Sequence, residues 1–275
     1  MLSTNVFGDC AAPALSLAWL SAKTGGRLAS PQAAPNDQGV QMLWRFRMAA
    51  KTAVINAHRR FHEIAGSRQF YELPPGYRHR QEPKNFDDTG NEDHWQREVY
   101  EFAAALAAEK GLRTVYDIGC GSAFKLVHFL GSYDTVGFDV EPTVKILRER
   151  YPTRRWELAD FSRALPSPDL VVCSDVVEHV ADPDVLMRHI AGLNARHTVL
   201  STPDRDLLYE EYDFHRLGPP HNPTHLREWN AKEFKPYVQR FFEVLDHRIT
   251  NREQATQMIY CRSIPQARSG PSGST

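Results

Sequence analysis

From position 113 onward the chain alternates two rhythms of apolar and polar residues. Runs rich in β-branched and aromatic residues occupy 114–118, 135–139, 155–159, 170–174 and 197–201, the length of buried strands. Between them, apolar residues at helical spacing predict helices over 123–130, 142–149 and 183–193. A weaker helical pattern at 231–240 precedes two more strand-like runs at 242–249 and 257–262. Upstream, Met42, Phe46, Ala49, Ala53, Ala57 and Phe61 share one helical face within 41–64, and Trp95, Val99, Phe102 and Leu106 repeat that spacing before Gly111. Strands alternating with helices predict an α/β fold: a doubly wound, mostly parallel seven-stranded sheet with an N-terminal helical cap.

Punctuation divides the chain further. Residues 24–39 and the tail from Pro265 are rich in Gly, Pro, Ala and polar residues. The organisation read from this is a mobile segment over 1–40, a helical cap and covering loop over 41–110, the ligand-binding sheet domain over 111–264 and a disordered tail over 265–275. With 275 residues, 41% of them hydrophobic, such a chain can bury one large core. Lys and Arg number 33 against 34 Asp and Glu, so no global field draws the chain to nucleic acid or an anionic surface. The Arg-containing clusters at 58–60, 78–80 and 154–155 are too short for a phosphate track. Cys10, Cys120, Cys173 and Cys261 lack metal-ligand spacing and read as thiols in a reducing compartment. No apolar run approaches the roughly 20 residues of a membrane helix, and the first residues lack the basic start of a signal peptide. The expectation is a cytoplasmic protein with no membrane partner.

The stretch "VYDIGCGSA", 115–123, closes the first strand with Gly119 and Gly121. Glycines there let a ligand approach the backbone, while the next helix offers unpaired N–H groups. Asp139 stands twenty positions after Gly119, at the end of the second strand, where a carboxylate can take both hydroxyls of a ribose. The pattern implies a nucleoside. A dinucleotide fingerprint would need glycine at 124, and that residue is Phe124, whose bulk opposes a pyrophosphate. Asp117, two places before the first glycine, suits a ligand carrying a positive amino group. Taken singly, a glycine pair is also a tight turn, Asp139 a helix cap and Asp117 the cap of its own turn.

In order, "VYDIGCGSA", "VGFDVE" (136–141), "LADF" (158–161) and "DLVVCSDVVEHVADP" (169–183) resemble the motifs of the Rossmann-like S-adenosylmethionine-dependent methyltransferases, over about 95–262. The resemblance implies S-adenosylmethionine as cofactor. It implies the methionine moiety beside Asp117, Gly119, Cys120 and Gly121, and the ribose on Asp139 next to Val140. It further implies the adenine amino group on Asp160 with Phe161 flanking the ring, while Ser174 and Asp175 face the cofactor from the fourth strand. Ala123 departs from the pattern, which more often has glycine there.

A sulfonium methyl is already activated, so the protein must chiefly align the nucleophile and exclude water. A hydroxyl or ammonium acceptor also has to lose a proton, and histidine suits that at neutral pH. His179 in "DVVEHV" and His221 and His225 in "HRLGPPHNPTHLREW" are the candidates, the latter two on a long connection after the fifth strand. The reading assigns no metal. An alternative set, Asp175, Glu178, His179 and His225, would gather on a helical turn and the later loop. Its order is similar to the metal ligands of small-RNA 2′-O-methyltransferases, although a Glu-His pair here is also a structural feature of many methyltransferases. The acceptor expected is a hydroxyl on a small polar molecule, a sugar, glycan or secondary metabolite. N-methylation, methylation of RNA or protein, and a non-catalytic nucleoside-binding module stay open as alternatives.

Overall fold

The computed structural model describes residues 70–84, 87–160 and 162–264. The helix expected over 41–64, the segment 1–40, the tail 265–275, Cys10, Phe86 and Phe161 lie outside the described residues. Seven strands form one sheet: β1 (Thr114–Ile118), β2 (Asp134–Asp139), β3 (Arg155–Leu158), β4 (Leu170–Ser174), β5 (His197–Pro203), β6 (Phe242–Asn251) and β7 (Thr256–Ser263). Their order is β3-β2-β1-β4-β5-β7-β6. The first five run parallel, and β7 lies antiparallel between β5 and β6. The chain leaves β1 toward β2 on one side and returns to β4 on the other. The carboxyl ends of β1 and β4 therefore flank the switch point, where sheets of this kind leave a crevice.

Among the described residues six helices accompany the sheet: α1 (Arg97–Lys110), α2 (Phe124–Leu130), α3 (Glu141–Arg150), α4 (Pro183–Gly192), the short α5 (Arg205–Leu208) and α6 (Ala231–Gln239). Single 3₁₀ turns stand at Phe70–Glu72 and Phe214–Leu217. Side chains alternate along a strand, so Val115 and Tyr116 enter different cores. On one face Val115, Leu170, Val172 and Val199 pack with Val99, Ala103 and Leu106 of α1, Leu126 of α2 and Leu147 of α3. On the other, Tyr116, Ile118, Val171 and Cys173 pack with Leu186 and Ile190 of α4 and Phe234 and Tyr237 of α6. The same alternation sends Asp117 toward the α1 face, among apolar neighbours.

Local chemistry sets the helix ends. Gly111 closes α1 in the left-handed region and donates its N–H to Ala107 and Ala108 carbonyls. Asn230 and Glu233 form a reciprocal capping box at the start of α6. Helix α2 begins at Phe124, one residue later than its periodicity implies, because Ala123 sits at φ 56°. Strand β5 runs on to Pro203 because β7 pairs along it as far as Thr256. Among the described residues, no helix is long and apolar enough to cross a membrane. Cys120, Cys173 and Cys261 are buried free thiols.

Candidate active site

The turn after β1 is where the backbone is most constrained. Gly119 and Gly121 have φ of +75° and +53°, a region that penalises a β-carbon. A β-carbon would also force neighbours to shift: on Gly119 it would press against the Val176 side chain, and on Gly121 it would stand 2.6 Å from the Asp88 carboxyl carbon. The N–H groups of Gly119 and Cys120 donate to the Phe138 carbonyl at 2.8 and 3.1 Å, laying the turn against the end of β2. Asp139 completes the join, accepting from Gly121 N and from Val140 N at 2.8 Å each. A carboxylate offers about four lone-pair sites, and with the Thr143 side chain as a third partner beside the two backbone donors Asp139 keeps capacity for a further hydroxyl, and for a second where Thr143 gives way. Burial lifts the Asp139 carboxyl above its ordinary value, and those two N–H groups work against the rise.

A cavity of about 640 Å³ opens at this edge of the sheet. Its wall on the side of the glycine turn includes Gly119, Cys120 and Ser122 of the turn, Asp139 and Val140 at the end of β2, Ala159 after β3, and Ser174 and Asp175 at the end of β4. Asp175 has φ 54°, and its carboxyl accepts from Ser201 Oγ at 2.6 Å and Gln96 Nε2 at 3.0 Å. Since Ser201 spends its proton on Asp175, the 2.7 Å contact with Ser174 makes Ser174 the donor there. Asp117 lies just behind the wall with no solvent exposure. One of its oxygens accepts from Tyr100 Oη at 2.9 Å and the other has no partner. Burial pushes this carboxyl up to about 7, against the pull of Tyr100 and Lys125.

The opposite part of the cavity is lined by Glu178, His179, Leu208, Asn222 and His225. His179 and His225 meet edge to face with centroids 4.8 Å apart. His225 Nδ1 is 2.6 Å from Glu228 Oε1, and its Nε2 is 2.9 Å from Asn222 Nδ2. An amide N–H₂ can only donate, so Nε2 carries the lone pair and Nδ1 the proton. His179 Nδ1 lies 3.1 Å from the Thr224 carbonyl, which can only accept. Burial, with His225 beside it, lowers His179 to about 4, so its ring is neutral at pH 7. Glu178 is fully buried; Oε2 accepts from Thr202 Oγ1 at 2.9 Å and Oε1 has no partner. Burial and the nearby Asp175 hold its carboxyl well above the ordinary range.

Of the residues singled out in the sequence, Gly119, Cys120, Asp139, Val140, Ser174, Asp175, His179 and His225 meet at this one cavity. Gly121 and Asp117 stand directly behind its wall. His221 does not join them: it is exposed, with its ring against His215 at 5.3 Å, because the loop turns it away. Asp160 is also exposed, and its carboxyl accepts from Ser162 N and Oγ, contacts that lower it below its ordinary value. The alternative ligand set is assembled in part. Ligand atoms of Glu178, His179 and His225 lie within 4.8 Å of one another, whereas Asp175 is outside that group, held by Ser201 and Gln96. The sequence reading missed Asp88, Gln96, Tyr100, Asn222 and Glu228. Only the spacing of His225 and Glu228, three apart in "HLRE", carried any signal.

A family model described as a methyltransferase domain matches residues 84–246. No curated protein matches the chain. Among solved structures, the chain is similar to magnesium protoporphyrin IX methyltransferase from Synechocystis PCC 6803 with bound SAH, at 17% identity and TM-score 0.47, covering 78% of this chain and 100% of that one. It is similar to 1,6-didemethyltoxoflavin-N1-methyltransferase from Burkholderia thailandensis at 15% identity and TM-score 0.47, covering 86% and 94%. The methyltransferase domain of a bacterial Hen1 is similar at 16% identity and TM-score 0.48, covering 61% and 97%.

Proposed function

This chain belongs to the methyltransferase-domain family as a Rossmann-like, S-adenosylmethionine-dependent enzyme, and from that premise we propose that it methylates a hydroxyl of a small polar acceptor, a sugar, glycan or secondary metabolite. In this reading Asp139 takes the ribose hydroxyls, the turn from Gly119 to Gly121 borders the methionine end, and Val140 attends the adenine. The stretch before α1, whose Trp95 and Gln96 line the cavity, serves as part of the cover that keeps water from the reaction.

The observation that carries the acceptor assignment is the His225–Glu228 pair at the far wall of the cavity. During transfer the acceptor oxygen forms a bond to the methyl carbon, the carbon–sulfur bond breaks, and its electron pair stays on sulfur. The acceptor hydroxyl takes the place of the Asn222 amide at His225 Nε2 and gives its proton to that nitrogen, and Glu228, bonded to Nδ1–H, stabilises the imidazolium that forms. Neutral His179 adds an apolar-edged wall that keeps the acceptor beside this base. The test is label transfer from methyl-labelled cofactor into hydroxylated small molecules by wild type and His225→Ala. Loss of about 10²–10⁴ in kcat with unchanged cofactor affinity supports the assignment. Wild-type turnover in the variant, or label arriving in RNA or protein instead, contradicts it.

A second reading is favoured by Glu178, whose buried unpartnered oxygen adjoins two imidazoles. Carboxylate and imidazole donors suit a borderline divalent cation, which would displace the Asn222 amide from His225 Nε2. Glu178, His179 and His225 would hold it, and it would supply Lewis acidity to an acceptor oxygen. Divalent ions should then raise the melting temperature of wild type and not of Glu178→Gln. Equal response of the two removes this reading.

A further inference from the structure

The stretch before α1 is outside the strand-and-helix repeat, yet it contributes Asp87, Asp88, Trp95 and Gln96 to the cavity wall. Asp88 sits against the glycine turn, close enough that a β-carbon on Gly121 would force its side chain to shift. Two cations, buried Lys125 and exposed Arg150, pin this stretch in place. Lys125 Nζ on α2 donates to the Glu92 carbonyl at 3.1 Å, and Arg150 on α3 donates to the Thr89 carbonyl at 2.6 Å. Within the loop, Asn91 N donates to the Asp88 carbonyl at 2.8 Å. Three carboxyl groups from three separate elements thus surround one turn: Asp88 on the loop, Asp117 in β1 and Asp139 at the end of β2. Lys125 is the cation that acts on both Asp88 and Asp117.

The cofactor and its product differ in charge at one atom. S-adenosylmethionine carries a sulfonium beside its amino-acid zwitterion; after the methyl leaves with the bond to oxygen, sulfur is a neutral thioether. An excess of negative charge around the turn favours the first over the second. We propose that Asp88 is a specificity-determining residue which, with Asp117 and Asp139, makes the pocket discriminate by charge, so that the sulfonium cofactor is held and its neutral product is released.

A second signature follows from the same cluster. Burial and the neighbouring Asp139 raise Asp88 to about 6, and burial raises Asp117 to about 7. Facing Asp88 are Asp139 on β2, Lys125 on α2 and Asp87 on its own loop; facing Asp117 are Tyr100 on α1, Lys125, Asp139 and Asp88. A cation entering this group lowers both carboxyl groups, so S-adenosylmethionine, with its sulfonium in addition to the amino group both ligands share, expels more protons on binding than S-adenosylhomocysteine does.

The proposal rests on the cofactor and not on the acceptor, and it is tested by calorimetric titration of both ligands into the full chain. For Asp88→Asn at pH 7.5, the preference for S-adenosylmethionine over S-adenosylhomocysteine should fall about three- to tenfold, with the homocysteine affinity changed less than about twofold. Asp88→Glu should restore the wild-type ratio. Equal weakening of both ligands, or an unchanged ratio, overturns the proposal. On the wild type, titrations at pH 6.5 in two buffers of different ionisation enthalpy should show more proton release with the sulfonium ligand, and equal release overturns it without any variant. A wild-type chain that binds neither ligand overturns the cofactor pocket and this inference together.

Discussion

Replacing Asp117 by asparagine should stabilise the ligand-free chain at alkaline pH, and the size of the effect follows from burial. The side chain has no exposure, one hydrogen bond from Tyr100 and one oxygen with no partner. Its carboxyl is raised from 3.8 to about 7, chiefly by desolvation. As pH climbs through that window the unfolded chain gives up its proton while the folded chain keeps it, so folding stability is lost between about 4 and about 7 and stays lost above. About three pKa units at 1.36 kcal/mol each amount to about 4 kcal/mol. Asparagine keeps an acceptor for Tyr100 and does not titrate. The stability of Asp117→Asn relative to wild type should therefore rise with pH by up to about 4 kcal/mol, most steeply between pH 4 and 7. Urea unfolding of both proteins at half-unit steps from pH 4.5 to 8.5 measures it. Cofactor affinity should fall in the same variant, since the ligand's amino group loses a counter-charge. A stability difference that is flat with pH, or that shrinks as pH rises, would refute the reasoning.

Two further substitutions probe the turn. Asp139→Ala removes the carboxylate that receives Gly121 N and Val140 N; cofactor binding followed by calorimetry should weaken by about 1.5–3 kcal/mol, as for a lost charged hydrogen bond, and unchanged affinity would remove Asp139 from the site. Gly121→Ala combines a positive φ with a collision against Asp88; it should lower stability by at least about 1 kcal/mol and cofactor affinity with it, whereas wild-type values for both would show that the loop carrying Asp88 yields freely.

Much of the sheet was legible because a parallel sheet covered on both faces leaves near-continuous apolar runs, and those at 114–118 and 170–174 are β1 and β4 to the residue. The helix read at 231–240 likewise is α6, Ala231–Gln239. What escaped was set by contacts between distant positions. Asp88 meets Gly121, Gln96 meets Asp175, and Tyr100 meets Asp117 across 17 residues, with no periodicity to announce any of them. The histidines followed the same division. His179 and His225, 46 positions apart, are joined because Leu226 N donates to the Glu178 carbonyl at 2.9 Å and ties the later loop to the end of β4. His221, four residues earlier, lies on the outer side of that tie, and its chemistry alone could not distinguish it from His225. Glu178 was readable as an acid beside a histidine, but its burial and its unpartnered oxygen belong to the packed structure.

The account depends on one placement, the nucleoside lying between the turn after β1 and the carboxylate ending β2. A crystal structure of the chain grown with S-adenosylhomocysteine measures it directly. The account predicts both ribose hydroxyls within hydrogen-bond distance of Asp139 and the amino-acid end against Gly119 and Gly121. A ligand bound elsewhere, with Asp139 making no contact to it, would contradict it.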